Sequence, residues 1–388
     1  MLGLGSTREK VVAVVDVGSG SAAVAILVAH HGKTSMIVAA DRSILPLEDR
    51  SKEQTMKGVA AMIQDAGTKV LKKYLKSEEG QRLGPPTIVY ASIRAPWTRS
   101  SAGYASEVFP KDETITKELI IKIAHAAFDQ DHELDKANML ETSVVRVELN
   151  EYPTAHPIGR RARRLSAITF ESDFDPVMRK LVTDALHGVF GARETIMHSG
   201  ARTYLSIVQE RMDHPEAYVI IDMVSEATTC MAVRSGVITH HAVLQEGVRT
   251  ILRRVAGSEG MPEEMLNLMR MVVAGSCSGE TCDKLNAALT QIEPELVRIF
   301  GEAIGAFVGK QRLPDTLILA AHPDITSWLA HLFSRIDFAQ FTITTRPFMV
   351  HVLKPENLKE SVAPLPGVPI DMGIAVACAF VNTELRSS

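Results

Sequence analysis

The segment VVAVVDVGSGSAAVAI, from Val11 to Ile26, decides the fold prediction for this chain. Its first half is a valine-rich apolar run, typical of a strand buried on both faces, and it ends at Asp16. The glycine-containing GSGS then turns the chain into a second apolar run. The stretch YVIIDMVSEATTCMAV, from Tyr218 to Val233, repeats this strand–turn–strand layout with Asp222 in the place of Asp16 but without the glycines. The pattern predicts an internal duplication of two related α/β lobes.

Composition narrows the class of protein. The 388 residues include 42 basic and 46 acidic side chains, a net charge of −4 that favours neither nucleic acid nor an acidic lipid surface as a partner. No apolar run reaches the roughly 20 residues that span a membrane, and the start MLGLGSTREK lacks the apolar core of a signal peptide. We therefore expect a cytoplasmic protein without direct membrane insertion. Four scattered cysteines predict buried or idle thiols.

The material between the two copies does not repeat. It contains a strand over 87–93, a helix over 116–130 and strands over 142–150 and 163–171, which together predict a compact α+β module inserted into the first lobe. Helices are predicted over 175–189 and 194–210. The expected domains are a first lobe over 1–85 and 173–214, the module over 86–172, a second lobe over 215–368, and a closing helix over 369–388 that returns to the first lobe.

This order of elements resembles the actin-like ATPase superfamily, and within it the bacterial FtsA/PilM branch. The segment NEYPTAHPIGRRARRLSAITF, from Asn150 to Phe170, is similar to the branch's segment before the last strand of its small inserted subdomain, called 1C or SHS2. The resemblance covers residues 10 to 382. It implies an α/β fold of two duplicated actin-like, ribonuclease H-like lobes around a cleft, with a 1C/SHS2-like subdomain in the first.

In that family two strand–turn–strand loops clamp the phosphates of ATP, and a third motif holds the adenosine. Glycines let backbone N–H groups approach an anion, and a carboxylate at a strand end holds Mg²⁺. The resemblance implies that Asp16 and Asp222 would carry Mg²⁺ if nucleotide binds. The candidate ATP- or ADP-binding residues are Asp16, Gly18, Ser19, Gly20, Ser21, Asp222, Ser225, Thr228, Ala320 and Ala321.

The chain departs from the family pattern in two of these three motifs. Met223 to Glu226 stand where glycines are expected; their bulk restricts the loop, and Glu226 brings negative charge toward a polyphosphate. Ala320-Ala321-His322-Pro323 replaces the glycine pair of the adenosine motif. We therefore expect weak or lost ATP binding, a pseudo-ATPase and no catalytic residues.

The resemblance implies a scaffold of the PilM/FtsA type that docks cytoplasmic tails of membrane proteins. The docking groove would lie between the first lobe and the module, bordered by strand 87–93 and helix 116–130, and the protein would reach the inner membrane through its partner. Type IV pilus assembly and cell division both remain open, as does self-association. The alternatives are an ATP-dependent switch of the same fold and, on a weaker footing, a sugar- or acetate-kinase-like enzyme.

Overall fold

The first lobe opens with an antiparallel meander. The computed structural model describes residues 9–30, 33–48, 50–129, 134–191, 193–211, 216–257, 260–308 and 312–387. The opening elements are β1 (Lys10–Val17), β2 (Ser21–Ala29), β3 (Ser35–Ile44), α1 (Lys52–Leu75), α2 (Glu78–Leu83) and β4 (Ile88–Ile93). Helix α1 begins at a capping box in which Ser51 and Gln54 each bond the other's backbone N–H. Its buried stripe, which includes Val59 and Ile63, packs on the sheet.

The inserted module follows β4. It comprises β5 (Thr98–Thr114), α3 (Lys117–Asp129), β6 (Met139–Leu149), β7 (Tyr152–Pro153) and β8 (Arg161–Phe174). The strands form an antiparallel sheet in the order β5-β8-β6-β7, and α3 covers one face of it through Ile123 and Ala127. The helix predicted over 116–130 is thus present, although Gln130 lies outside the described residues.

The chain then returns to the first lobe with α4 (Pro176–Phe190), β9 (Glu194–Ser199) and α5 (Gly200–Arg211). Two predictions are wrong here. Strand β4, predicted in the module, lies between β1 and β9 in the first sheet. The helix predicted over 194–210 begins only at Gly200, because its first six residues pair with β4 as a parallel edge strand. A strand partner supplied by the fold overrides local helical spacing.

The second lobe repeats this plan. Its elements are β10 (Ala217–Met223), β11 (Thr228–Arg234), β12 (Val237–Leu244), α6 (Val248–Ala256), α7 (Pro262–Val273), α8 (Glu280–Phe307), β13 (Thr316–Ala320), α9 (Pro323–Phe333) and β14 (Met349–Val352). Cys277 and Cys282, expected as idle thiols, form a disulfide at the start of α8, whereas Cys230 and Cys378 are buried and free.

The last elements belong to the first lobe. They are β15 (Val362–Pro364), which pairs with β3, and α10 (Met372–Ser387). The second lobe, predicted to extend to residue 368, therefore gives its last strand to the first sheet. Helix α10 packs against β1, β2 and α5, as the closing helix was expected to do. Among the described residues, no helix is both long enough and apolar enough to cross a membrane.

The two sheets share one topology. The first has the order β15-β3-β2-β1-β4-β9 and the second β12-β11-β10-β13-β14, so that each contains a meander followed by two parallel strands on the other side of its first strand. Asp16 pairs with Ala23 and Asp222 with Thr229, at the same spacing in both hairpins. The predicted duplication of the lobes is confirmed at the level of strand order and register.

Candidate functional site

The two hairpin turns, residues 18–21 and 224–227, close in the same way. The N–H of Gly18 donates to the carbonyl of Ser21 at 3.0 Å, and the N–H of Val224 donates to the carbonyl of Ala227 at 2.9 Å. Neither Gly18 nor Gly20 has a positive φ, so the backbone conformation of this turn does not itself require glycine. The second turn, with Val224 and Glu226 in place of glycines, therefore closes through the same backbone hydrogen bond as the first.

Asp16 is bound by an arginine from the neighbouring strand β3. Its carboxylate is 1% exposed, and its Oδ2 accepts a hydrogen bond from Arg42 Nη2 at 2.6 Å. The same guanidinium donates to both oxygens of Asp371, at 2.6 and 2.8 Å, and to Ser21 Oγ at 2.7 Å. Asp371 in turn caps the start of α10 through the N–H of Ile374. Arg42 thus joins the first turn to the closing helix.

Asp222 is bound by a second arginine, which follows β4. Arg94 Nε donates to Asp222 Oδ2 at 3.0 Å and Arg94 Nη2 donates to Oδ1, in the two-point geometry typical of guanidinium–carboxylate pairs. Arg94 Nη1 lies 3.5 Å from Asp16 Oδ2. The ring of Tyr204 stacks with the guanidinium at 5.4 Å. The two aspartates that head the duplicated hairpins therefore share one buried cation.

The pKa shifts in this cluster follow from burial and pairing. Burial, and to a smaller extent the nearby Asp16 carboxylate, raise the pKa of Asp222, and the Arg94 guanidinium opposes that rise without cancelling it. Burial would lower the pKa of Arg94, but Asp222 and Asp16 raise it well above its ordinary value. For Asp371, the attraction of Arg42 outweighs burial and lowers the pKa. The arginines are thus firmly protonated and neutralise the carboxylates.

The two turns also touch each other. The backbone N–H of Glu226 donates to Ser19 Oγ at 2.7 Å. A Cβ added to Gly20 would lie 2.7 Å from the Cβ of Ser225, so this glycine serves the close approach of the turns. The carboxylate of Glu226 points toward Arg249 and Arg253, at 3.0 and 2.9 Å. It is paired within the second lobe.

The structure brings together most of the predicted residues but not all. Asp16, Gly18 to Ser21, Asp222 and Ser225 meet at the junction of the turns. Thr228 does not join them, because its hydroxyl donates to the carbonyl of Glu246 at 2.6 Å. Ala320 is buried beside Asp222 in the sheet. Ala321 lines a cavity of about 150 Å³ next to the network, whose walls also include Ile44, Leu47, Val248, Leu252, Leu266 and Pro323.

These contacts do not fit a magnesium-bound polyphosphate between the turns. Asp16 and Asp222 already accept hydrogen bonds from guanidinium groups, and Ser19 and Ser21 are bonded to protein atoms. Gly20 and Ser225 are too close for an anion to pass between them. Within the described part of the chain, no cluster of three or more His, Cys, Asp or Glu side chains could hold a metal ion.

The sequence prediction missed Arg42, Arg94 and Asp371, which complete the network. Arg42 is a charged residue inside the apolar strand SMIVAADRSI, and Arg94 follows the buried strand IVYASI directly. A charge at such a position needs a buried counter-ion, and that is a usable signal. This signal does not identify the carboxylate that pairs with the arginine.

Comparison with known proteins gives structural matches only. No protein-family model and no curated protein matches the chain. A chain of the "PilM-PilN type IV pilus biogenesis complex" matches with a TM-score of 0.59 and 12% identity, over 96% of this chain and 98% of that one. The ethanolamine utilization protein EutJ from Carboxydothermus hydrogenoformans matches with a TM-score of 0.45 and 10% identity, over 98% and 92%.

A structure of MamK bound to AMPPNP also matches, with a TM-score of 0.39 and 8% identity, over 98% of this chain and 100% of that one. At these identities a structural match is evidence for the fold alone, and that evidence comes from the PilM match. The paired sheets, the equivalent aspartates and the full-length match to PilM agree with one another. The chain therefore has the actin-like ATPase fold, in the form that resembles PilM.

Proposed function

We propose that the protein is a cytoplasmic actin-like scaffold that docks the tail of a membrane protein in type IV pilus assembly, without turning over ATP. The likeness to a PilM chain solved in a PilM-PilN complex favours pilus assembly over cell division. The arginine-bound aspartates favour a scaffold over an ATP-dependent switch or a kinase, since both of those need an accessible phosphate clamp.

The observation that carries the proposal is the place where the outer edges of β6 (Met139–Leu149) and β9 (Glu194–Ser199) meet, which we call the edge groove. Strand β9 is the outermost strand of the first sheet, and β6 is bordered on its outer side only by the two-residue β7. Within the described residues, no strand pairs with the outer edge of residues 140–146. An extended peptide adds to such an edge through main-chain hydrogen bonds and places alternate side chains in neighbouring pockets.

The edge groove is fixed at one end and apolar along its side. Glu141 in β6 accepts hydrogen bonds from the N–H and the hydroxyl of Ser199 at 2.9 and 2.7 Å, which anchors the module to β9. Val144 and Val145 are 42% and 43% exposed beside this anchor. The pairing of β6 with β8 shifts register at Val145, which interrupts the regular strand. A docked peptide could therefore pair regularly with only the four residues from Glu141 to Val144. We expect a short docking segment. The edge groove, bordered by β6 and β9, differs from the groove between strand 87–93 and helix 116–130 that the resemblance implies.

The test is binding of synthetic peptides that carry the cytoplasmic segments of single-span membrane proteins encoded beside this gene, measured by fluorescence anisotropy. The expected result is saturable binding that Val144→Asp weakens at least tenfold, because a charge there meets the apolar side of the peptide. Ile336→Asp is the matched control, an exposed aliphatic residue of the second lobe that should leave affinity unchanged.

Three outcomes count against the proposal. Binding that Val144→Asp leaves intact would place docking elsewhere on the molecule. Binding only by the tail of a division protein would move the function to cell division. Equal loss in both variants would show a general effect of added charge.

A further inference from the structure

The buried network does more than block nucleotide. Arg94 belongs to the first lobe, where its N–H donates to the carbonyl of Val17 at 2.9 Å, while Asp222 ends the first strand of the second lobe. The guanidinium therefore bridges the lobes, with Asp16 on one side and Asp222 on the other. It is 8% exposed, so water contributes little to its stabilisation.

Two glycines next to Arg94 leave room for its side chain. A Cβ on Gly200 would lie 2.7 Å from Arg94 Cγ, and a Cβ on Gly373 would lie 2.9 Å from Arg94 Nη1. Tyr204 from α5 supplies the ring under the guanidinium. Helices α5 and α10 thus each approach the Arg94 side chain closely through a glycine. The cradle fits an arginine held in one place.

Two further contacts cross between the lobes beside it. Glu226 reaches Ser19 through its backbone N–H, and Arg249 from α6 donates to the carbonyl of Glu48 at 3.0 Å and to the carbonyl of Pro46. All of these partners are protein groups.

Two aspartates this deeply buried need a counter-charge, because an unpaired carboxylate in such a site costs several kcal/mol. In the fold the duplicated aspartates face one another across the cleft. The Arg94 cation between them makes two hydrogen bonds to Asp222 and lies 3.5 Å from Asp16 Oδ2, while Asp16 Oδ1 has no hydrogen-bond partner among the described residues. We infer that Arg94 is the built-in cation of this cleft and locks the two lobes in their closed arrangement, in the absence of metal ion and nucleotide. This inference goes beyond the docking function and does not depend on it.

The experiment measures the separation of the lobes directly. Spin labels are placed at Gln64 in α1 and Gln291 in α8, both exposed, since the native cysteines are buried or disulfide-bonded. In the protein with its native network, pulsed electron paramagnetic resonance should give one narrow distribution of the distance between the two labels. Millimolar Mg-ATP should leave that distribution unchanged. Arg94→Met should broaden the distribution and extend it to longer distances.

The matched control is Arg270→Met. Arg270 lines the same cavity and binds Asp324 at 2.7 Å, but both residues belong to the second lobe. Its loss should leave the distance unchanged. Because Arg94→Met alone leaves Asp222 without its partner, two further variants accompany it. Arg94→Met combined with Asp222→Asn removes both charges, and Arg94→Lys keeps the charge but loses the two-point geometry.

If Arg94 locks the lobes, the double variant should give a wide distribution of distances between the spin labels, and Arg94→Lys should give a distribution of intermediate width. The inference is overturned if the folded double variant and Arg94→Lys both keep the narrow distance. It is also overturned if Mg-ATP changes the distance in the protein with its network intact, since the cleft would then respond to nucleotide after all.

Discussion

At the scale of single residues, the arginine network depends on small side chains around it. Gly373 lies in the first turn of α10, and a Cβ there would sit 2.2 Å from Asp16 Oδ2. Such a contact forces the carboxylate away from Arg42 and Arg94. Gly301, inside α8, offers the comparison, because its Cβ would meet Phe341 at an ordinary 3.5 Å.

Gly373→Ala should therefore destabilise the protein by about 1–3 kcal/mol, the usual cost of overpacking. Gly301→Ala should be neutral or stabilising by about 0.5–1 kcal/mol, since alanine is the better helix former. Urea unfolding followed by circular dichroism measures both. Equal stability of the two variants would show that the close contact at Gly373 relaxes freely.

Only part of the arginine network could be predicted from the sequence. Asp16 and Asp222 could be predicted because each follows a buried strand in a repeated hairpin. Their partners could not, since Arg42 is 26 residues from Asp16 and Arg94 is 128 residues from Asp222. No local pattern relates such positions, and only the packing of the sheets sets which arginine meets which carboxylate.

At the scale of elements, the inserted module contacts the first lobe through buried apolar residues such as Phe170 and Phe174 and through polar contacts at its edge. Glu141 joins β6 to β9 through Ser199 and His198, the latter at 2.8 Å. Glu148 in the same strand contacts Arg146 of that strand at 2.6 Å and makes no such bridge in the described contacts.

Glu141→Gln should loosen the module from the first lobe and speed amide hydrogen exchange in β6 and β9 at least tenfold, because the amide has one acceptor oxygen where the carboxylate has two. Glu148→Gln should leave β9 unaffected. Exchange followed by mass spectrometry resolves the two strands. Unchanged protection of β9 in Glu141→Gln would mean that apolar packing alone holds the module.

The other border of the module is sensitive to acid. Strand β12 packs against β5, and burial there lowers the pKa of His241 to about 4 from its usual 6.5, although Asp173 acts in the opposite direction. The folded protein therefore binds this proton less readily than the unfolded chain. The stability that neutral His241 provides is complete above pH 6.5 and is lost as the pH falls toward 4.

We expect the unfolding free energy to decrease by up to about 1.4 kcal/mol per pH unit in this window on account of His241. His241→Asn should remove that part of the dependence, whereas His125→Gln on the exposed face of α3 should retain it. Urea titrations between pH 4 and 7 measure the difference. Parallel curves for the native protein and His241→Asn would contradict the assignment.

Elements also show which sequence signals are reliable. Helix α4, predicted over 175–189, and the hairpins were predicted well because their periodicity is local. Strands β4 and β9 were misplaced or missed because their identity depends on parallel pairing with distant strands. The polar pattern of β5 gave little sign of a 17-residue strand.

At the scale of the whole molecule, the lobes share apolar surface. One core contains Val12 and Val14 of the first sheet, Tyr218 and Ile220 of the second, and the buried face of α10. Lobes with a common core should unfold together. The chain has two tryptophans, Trp97 in the first lobe and Trp328 in the second, and so it carries one reporter for each.

Trp328→Phe and Trp97→Phe should therefore show coincident thermal transitions in their remaining tryptophan fluorescence. A separation of more than a few degrees would show that the lobes unfold independently. Trp97 Nε1 donates to the carbonyl of Gly18 at 2.8 Å, so the first-lobe signal also reports the turn at Asp16.

The arginine pair has a consequence for how such a protein would behave in a living cell. If Arg94 is the cation of the cleft, as we infer, the cleft would bind neither magnesium nor adenine nucleotides from the cell. Chelators, starvation and a falling energy charge would then leave its shape alone. Under the proposed scaffold role, its occupancy would then follow the abundance of its partner alone.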